Sequence, residues 1–242
     1  MLHTENPNIN QLCPLVTKSI SKGVVALSNG DTSYNASAIE IYAQNIFSRV
    51  YAIDNAFKNI SITMEYLRQK TYQDSDYSFS EHHAHHIENF LLRLTSVVDR
   101  SYLLAGSTFM MKNSQIEKQG SNKKINKKLL ECSPASAAIL ESMRDTIDEL
   151  RVPRNKVAHQ EGFTSKNLGV LQAIENAKIE SISAKEITDI MPYDKIKEVV
   201  TDESIKQYET IVLAIDKLVT DLINSLSFVY TGLIQSQIPR KI

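Results

Sequence analysis

In the stretch IEIYAQNIFSRVYAIDNAFKNISITMEYL (residues 39–67), the residues Ile39, Tyr42, Ile46, Val50, Ile53, Phe57, Ile60, Met64 and Leu67 follow one another in steps of three and four. That spacing keeps one stripe of a helix apolar for about eight turns, whereas a half-buried strand would alternate with a period of about two. At 1.5 Å per residue the helix is roughly 45 Å long, and a seam of this length requires a partner helix. The aromatic and methionine residues on it are read as core, the usual place for these types.

Working outward, Gln73-Asp74-Ser75-Asp76 is a loop, and Ser78-x-x-Glu81 has the form of a capping box opening a second long helix. That helix runs through Ile87, Phe90, Leu91, Leu94, Val97, Val98, Tyr102 and Leu104 toward Phe109. Toward the N-terminus, residues 1–10 are polar. Leu12, Leu15, Val16, Ile20, Val24 and Leu27 then recur at helical spacing, with Gly23 as a point of interruption and Asn29-Gly30 as the stop. Toward the C-terminus, Ser133-Pro134 supplies an N-cap and first helical position, and Ile139, Leu140, Met143, Ile147 and Leu150 form the buried stripe that follows. Tyr208, Ile211, Ile215, Leu218, Leu222, Leu226, Val229 and Leu233 mark a last helix from about Asp202 to Gln235, followed by the tail Pro239-Arg240-Lys241-Ile242. Residues 163–200 are the least regular. Leu168 to Ala177 reads as a short helix, Lys178 to Ser183 alternates like a strand that has no partner, and Pro192 breaks the pattern. This insertion suits a lid or a dimer contact.

Seven Gly and six Pro in 242 residues are few, which favours long helices over many short strands. The expected fold is all-α: a bundle of long antiparallel helices forming a single domain over 1–242. Its core spans about 36–160 and 202–236, with an extra N-terminal helix and an irregular insertion at about 163–200. With 42% apolar residues the chain can bury an ordinary core. A net charge of −1 provides no global field toward nucleic acid or membrane, so any RNA contact must be local. Cys13 and Cys132 lack CxxC spacing and form no disulfide framework, which fits a reducing cytoplasm. Met1 to Pro7 lacks a basic n-region followed by an apolar run, and no stretch of about 18 apolar residues occurs. The expectation is a cytoplasmic protein without a membrane span.

Val152-Pro153-Arg154-Asn155-Lys156-Val157-Ala158-His159-Gln160 concentrates functional residue types inside a helical, half-apolar pattern. Asn155 and His159, four apart, share a helix face, and Arg154, about 140° around, reaches it with its long side chain. Pro153 suits the first position of a new helical turn, whose unpaired N–H groups would attract an anion such as a phosphate.

Arg154-Asn155-x-x-x-His159 resembles the R-x4-H signature, often with Asn after the Arg, of the HEPN superfamily of all-helical domains. The resemblance covers roughly residues 36–160 and the last helix. It implies a metal-independent endoribonuclease whose site forms where two protomers meet, of the kind found in toxin–antitoxin or phage-defence settings, with an antitoxin protein as a further partner and no cofactor. The implied catalytic residues are Arg154, His159 and Asn155. The chemistry agrees: imidazole titrates near neutrality and can exchange a proton with a ribose 2′-OH, and guanidinium carries permanent charge for the phosphate. The alternative is a non-catalytic HEPN-like module that binds RNA, a nucleotide or a protein partner.

Three further features carry functional residue types. Glu88, beside Asn89 and Arg93 on the second long helix, is the candidate to orient Arg154 or fix the tautomer of His159; its blander reading is an exposed face with local ion pairs. Lys123, Lys124, Lys127 and Lys128 lie in the most cationic segment, and with Lys156 they are the candidate RNA-binding lysines. The same segment has no interleaved aromatic residues and reads more readily as a solvated loop. His82, His83, His85 and His86 are four of the six histidines. His82 and His86 could share a metal with Glu81 or Glu88, but no distant CxxC or HExxH partner exists, so no metal site is assigned; they could also line the Arg154/His159 cleft. No G-x-x-x-x-G-K-[ST], G-x-S-x-G or G-x-G-x-x-G pattern supports a nucleotide-hydrolase, esterase or dinucleotide reading.

Overall fold

The computed structural model describes residues 2–159, 162–177 and 181–236, and every regular element among them is helical. Gln160, Lys178-Ile179-Glu180 and the tail Pro239-Arg240-Lys241-Ile242 lie outside the described residues. After a 3-10 turn at His3–Glu5 come α1 (Pro7–Asn10), α2 (Cys13–Ser28), α3 (Ala38–Leu67), α4 (Phe79–Thr108), α5 (Asn113–Ile116) and α6 (Asn122–Cys132). They are followed by α7 (Pro134–Thr146), α8 (Asp148–His159), α9 (Lys166–Asn176), α10 (Ile182–Thr188) and α11 (Tyr193–Ser236). No helix among the described residues is long and apolar enough to cross a membrane.

The chain divides into two compact units, one of Met1–Ala56, Val97–Arg144 and Ile215–Ile242, the other of Phe57–Ser96 and Asp145–Ala214. In the first unit the α3 seam is buried at Tyr42, Ile46, Val50 and Ile53, as are Ile215, Leu222, Leu226 and Tyr230 of α11. Several polar groups inside this unit are closed into networks, while Ser107 Oγ and Asn126 Oδ1 are buried without a hydrogen-bond partner. The Tyr42 hydroxyl donates to the Thr108 carbonyl at 3.1 Å, and the Thr108 and Tyr230 hydroxyls meet at 3.0 Å. Asp54, 2% exposed, accepts from the His3 and Thr4 backbone N–H groups and the Thr4 hydroxyl, and its Oδ1 lies 3.0 Å from His3 Nδ1. Burial pulls the His3 imidazole down, but the bonds to Asp54 and Asp216 outweigh it and leave the pKa raised. Burial likewise pushes Asp54 up, and its four donors more than reverse this, leaving the carboxyl below its ordinary range.

α2 departs from expectation on its apolar face: Leu12 and Val16 are buried, whereas Ile20, Val24 and Leu27 are exposed. The helix is not interrupted at Gly23. A Cβ there would stand 3.0 Å from the Tyr34 ring, so this glycine permits close packing. Its end is as read, with Gly30 at φ +83° and the Asp31 N–H returning to the Ala26 carbonyl at 2.9 Å. The lysine-rich segment, read as an arm or loop, is corrected to helix α6. Ile125 and Leu129 are buried one turn apart, which places Lys123, Lys124, Lys127 and Lys128 on the exposed side.

In the second unit α4 opens with the expected capping box: the Glu81 carboxylate accepts the Ser78 N–H at 2.7 Å, and the Ser78 hydroxyl accepts the Glu81 N–H at 3.3 Å. The stretch read as irregular, 163–200, is helical over most of its described length. Ser165 caps α9 and Ser181 caps α10, so the strand-like alternation ends in a helix start at Ser181. α11 begins at Tyr193 rather than near Asp202, because Pro192 precedes the helix and its carbonyl accepts the Lys195 and Ile196 N–H groups. Leu171, Ile174, Ala184, Ile196 and Val200 form a core against Phe79 and Tyr193. Glu175 ties it to α4 by accepting from the Ser80 backbone and hydroxyl and from the Tyr193 hydroxyl.

Candidate functional site

Arg154, Asn155, Lys156 and His159 all lie on α8, in the second unit. The helix starts at Asp148, because α7 ends at Thr146 and the chain turns at Ile147. Pro153 is therefore inside the helix, where it leaves the Glu149 carbonyl without its usual donor, and is not at the first position. The first turn carries Asp148 and Glu149, whose charges complement the helix dipole and repel an anion, and the Leu150 N–H already donates to the Ile147 carbonyl at 3.0 Å. This corrects the phosphate-at-Pro153 expectation: on α8, positive charge comes from side chains.

Those side chains are differently placed. Arg154 is half-buried, its Nη1 donates to Asn155 Oδ1 at 3.2 Å, and its Nε is buried without a hydrogen-bond partner. His159, the last helical residue, is exposed, as are Asn155 and Lys156. A charge partly anchored by its neighbour and an imidazole open to solvent thus lie within six residues of one short helix.

Glu88 acts just beyond that helix. Its Oε1 accepts the Phe163 N–H at 2.7 Å and would lie 2.7 Å from a Cβ on Gly162, whose φ is +84°. Only glycine accommodates both the left-handed backbone and the carboxylate. The hydrogen bond of Glu88 thus goes to the main chain leaving the motif. Lys123, Lys124, Lys127 and Lys128 belong to the first unit.

The four histidines sit on the first turns of α4. His82 stacks on Tyr72, with ring centres 4.0 Å apart, and His86 stacks on Tyr66 at 4.9 Å. Burial, reinforced by His85 and His82, holds His86 below its ordinary pKa. His83 is fully buried against Phe79 with both ring nitrogens unpartnered, and burial pushes its pKa down to about 4. Among the described residues no cluster of three or more His, Cys, Asp and Glu side chains could hold a metal ion. The tyrosine partners were not foreseen from the sequence. The signal was available in Tyr66, Tyr72 and Tyr77, which cluster in the residues just before the histidines.

A family model described as HEPN_Cthe2314-like HEPN matches residues 26–227. The chain belongs to this HEPN family. Neither a curated protein nor a solved structure matches it. The HEPN match runs continuously through α3, α4, the α8 motif and most of α11, taking in the helical stretch between α8 and α11.

Proposed function

We propose that this HEPN chain is a metal-independent endoribonuclease that works as a homodimer, with Arg154 and His159 of both protomers forming one site. The observation that carries this reading is the pairing on α8 of a half-buried guanidinium, its Nε unpartnered, with an exposed imidazole. A neutral His159 takes the proton from a ribose 2′-OH, and the 2′-oxygen attacks the adjacent phosphorus. The bond to the 5′-oxygen breaks, and a protonated His159 of the second protomer delivers a proton to the leaving oxygen. The products are a 2′,3′-cyclic phosphate and a 5′-hydroxyl. Arg154 neutralises charge that grows on the phosphate oxygens, and Asn155 holds its Nη1. One imidazole cannot serve both sides of an in-line displacement, whereas a two-fold pair supplies base and acid together. Lys156 and the exposed lysines of α6 are the phosphate contacts in this reading.

The test is cleavage of single-stranded RNA in excess EDTA with end-group analysis. Wild type should give cyclic-phosphate ends and His159→Ala none; equal cleavage by the two proteins would end the proposal. The second reading, a HEPN module that binds RNA, a nucleotide or a protein partner without cutting, is favoured by the net charge of −1. It predicts binding that is lost in Arg154→Ala, with no cleavage by wild type.

A further inference from the structure

Tyr77, Glu81, His82 and His85 line a cavity of 350 Å³ in the second unit, within the size range of small-ligand sites. Its walls are flat rings held in place from behind. His82 is fixed by stacking on Tyr72 and by the Ser75 hydroxyl 2.7 Å from its Nε2, while Tyr77 stands edge-on to it at 83° and is 69% exposed. His85 Nε2 meets the Asn89 amide at 3.1 Å. Glu81 adds a carboxylate whose capping bond to the Ser78 N–H lowers its pKa, so it is ionised at neutral pH.

The cavity shares a face of α4 with Glu88. Glu81, His85 and Glu88 are spaced i, i+4, i+7 and share one face of α4, with Glu81 and Glu88 roughly 10 Å apart along the axis. Glu88 is the residue bonded to Phe163, just past the motif helix.

We propose that this cavity binds a guanine base of the RNA chain, stacked on the exposed ring of Tyr77, with the His82 and His85 rings beside it, and read by the Glu81 carboxylate. The inference rests on the nuclease reading and adds to it a base preference. Stacking on Tyr77 accepts any base, so the discrimination comes from Glu81. Guanine presents two adjacent donors, N1–H and N2–H, to a carboxylate. Adenine and cytosine each place a ring-nitrogen lone pair beside their single amino group, and uracil flanks one N–H with two carbonyl oxygens, so each sets an acceptor against the anion.

Binding of the 2′-O-methyl pentanucleotides UUGUU and UUAUU to the full-length protein, followed by fluorescence anisotropy, tests the pocket separately from cleavage, because neither oligomer can be cut. Wild type should prefer UUGUU by about tenfold, the worth of one good paired contact. Glu81→Gln should reduce the preference to about twofold or less, and Tyr77→Ala, at an exposed site, should weaken both oligomers by about fivefold or more through lost stacking. Equal affinity for the two oligomers, no binding of either, or a preference that survives Glu81→Gln would overturn the proposal. RNA cleavage in EDTA alongside equal affinities removes the pocket and leaves the nuclease; a guanine preference without cleavage removes the nuclease and leaves the pocket.

Discussion

The two units differ in how they treat buried ionisable groups, although the first also holds two uncharged buried atoms without partners, Ser107 Oγ and Asn126 Oδ1. In the first, the buried ionisable residues His3, Asp54 and Glu40 are each matched: Asp54 by His3 and Thr4, Glu40 by Lys22 and the Ser37 N–H. In the second, His83 has two buried nitrogens without partners and Arg154 has one. Buried polar atoms are nearly always hydrogen-bonded, because leaving one unmade costs about 1–3 kcal/mol. The first unit pairs its buried ionisable groups. The second leaves ring and guanidinium nitrogens without partners, and it is the unit that carries the motif.

The comparison can be broken in graded steps. The largest effect expected is on activity: His159→Ala should lower RNA cleavage by about a thousandfold, within the range for losing a general acid or base, with an unchanged far-UV spectrum. Next, Asp54→Ala should cost the protein about 3–5 kcal/mol in urea unfolding, since it strands the His3 and Thr4 donors in a buried site. His83→Phe should have the opposite sign. At pH 7 it should stabilise by about 1 kcal/mol, because it removes two unsatisfied nitrogens and retains the ring against Phe79.

Titration separates the two histidines further. The folded-state pKa of His83, about 4, lies below its ordinary 6.5, so the unfolded chain takes up the proton first. Wild-type stability should therefore fall as pH drops from 6.5 toward 4, and the advantage of His83→Phe should grow by about 2–3 kcal/mol over that range. His3 works the other way: its raised pKa contributes stability that is present at acid pH and lost as pH climbs through the folded value. A flat His83→Phe difference between pH 7 and pH 4.5 would contradict the assignment. The smallest effect expected is at Glu88→Gln. It keeps an acceptor but loses the charge behind the Phe163 bond, and should speed amide exchange at Phe163 by about fivefold, a cost near 1 kcal/mol.

The long helices were legible because their evidence is distributed. In α3 the steps of three and four repeat over 30 residues, and the cap at Ser78-x-x-Glu81 announces α4. The errors sit where one residue was asked to decide. Pro153 was read as a helix start, but the chain turns at Ile147 and the helix runs through the proline. Pro192 does separate α10 from α11, but the last helix starts directly behind it at Tyr193 rather than near Asp202, with Ile196 and Val200 buried one turn apart. In α2 the periodicity predicted a helix correctly but not what covers it, since spacing says which residues share a face and nothing about what packs against that face. Arg154, Asn155, Lys156 and His159 could be placed on one short helix from spacing alone. The Glu88 bond to Phe163 could not, because it joins residues 75 apart.

The central claim is that each site needs a histidine from both protomers, and subunit mixing tests it most directly. At constant total protein, a one-to-one co-assembly of wild type and His159→Ala should show about a quarter of the RNA cleavage of wild type alone in EDTA, because only wild-type pairs carry two imidazoles. Retention of about half would mean that each chain cuts alone and would contradict the account.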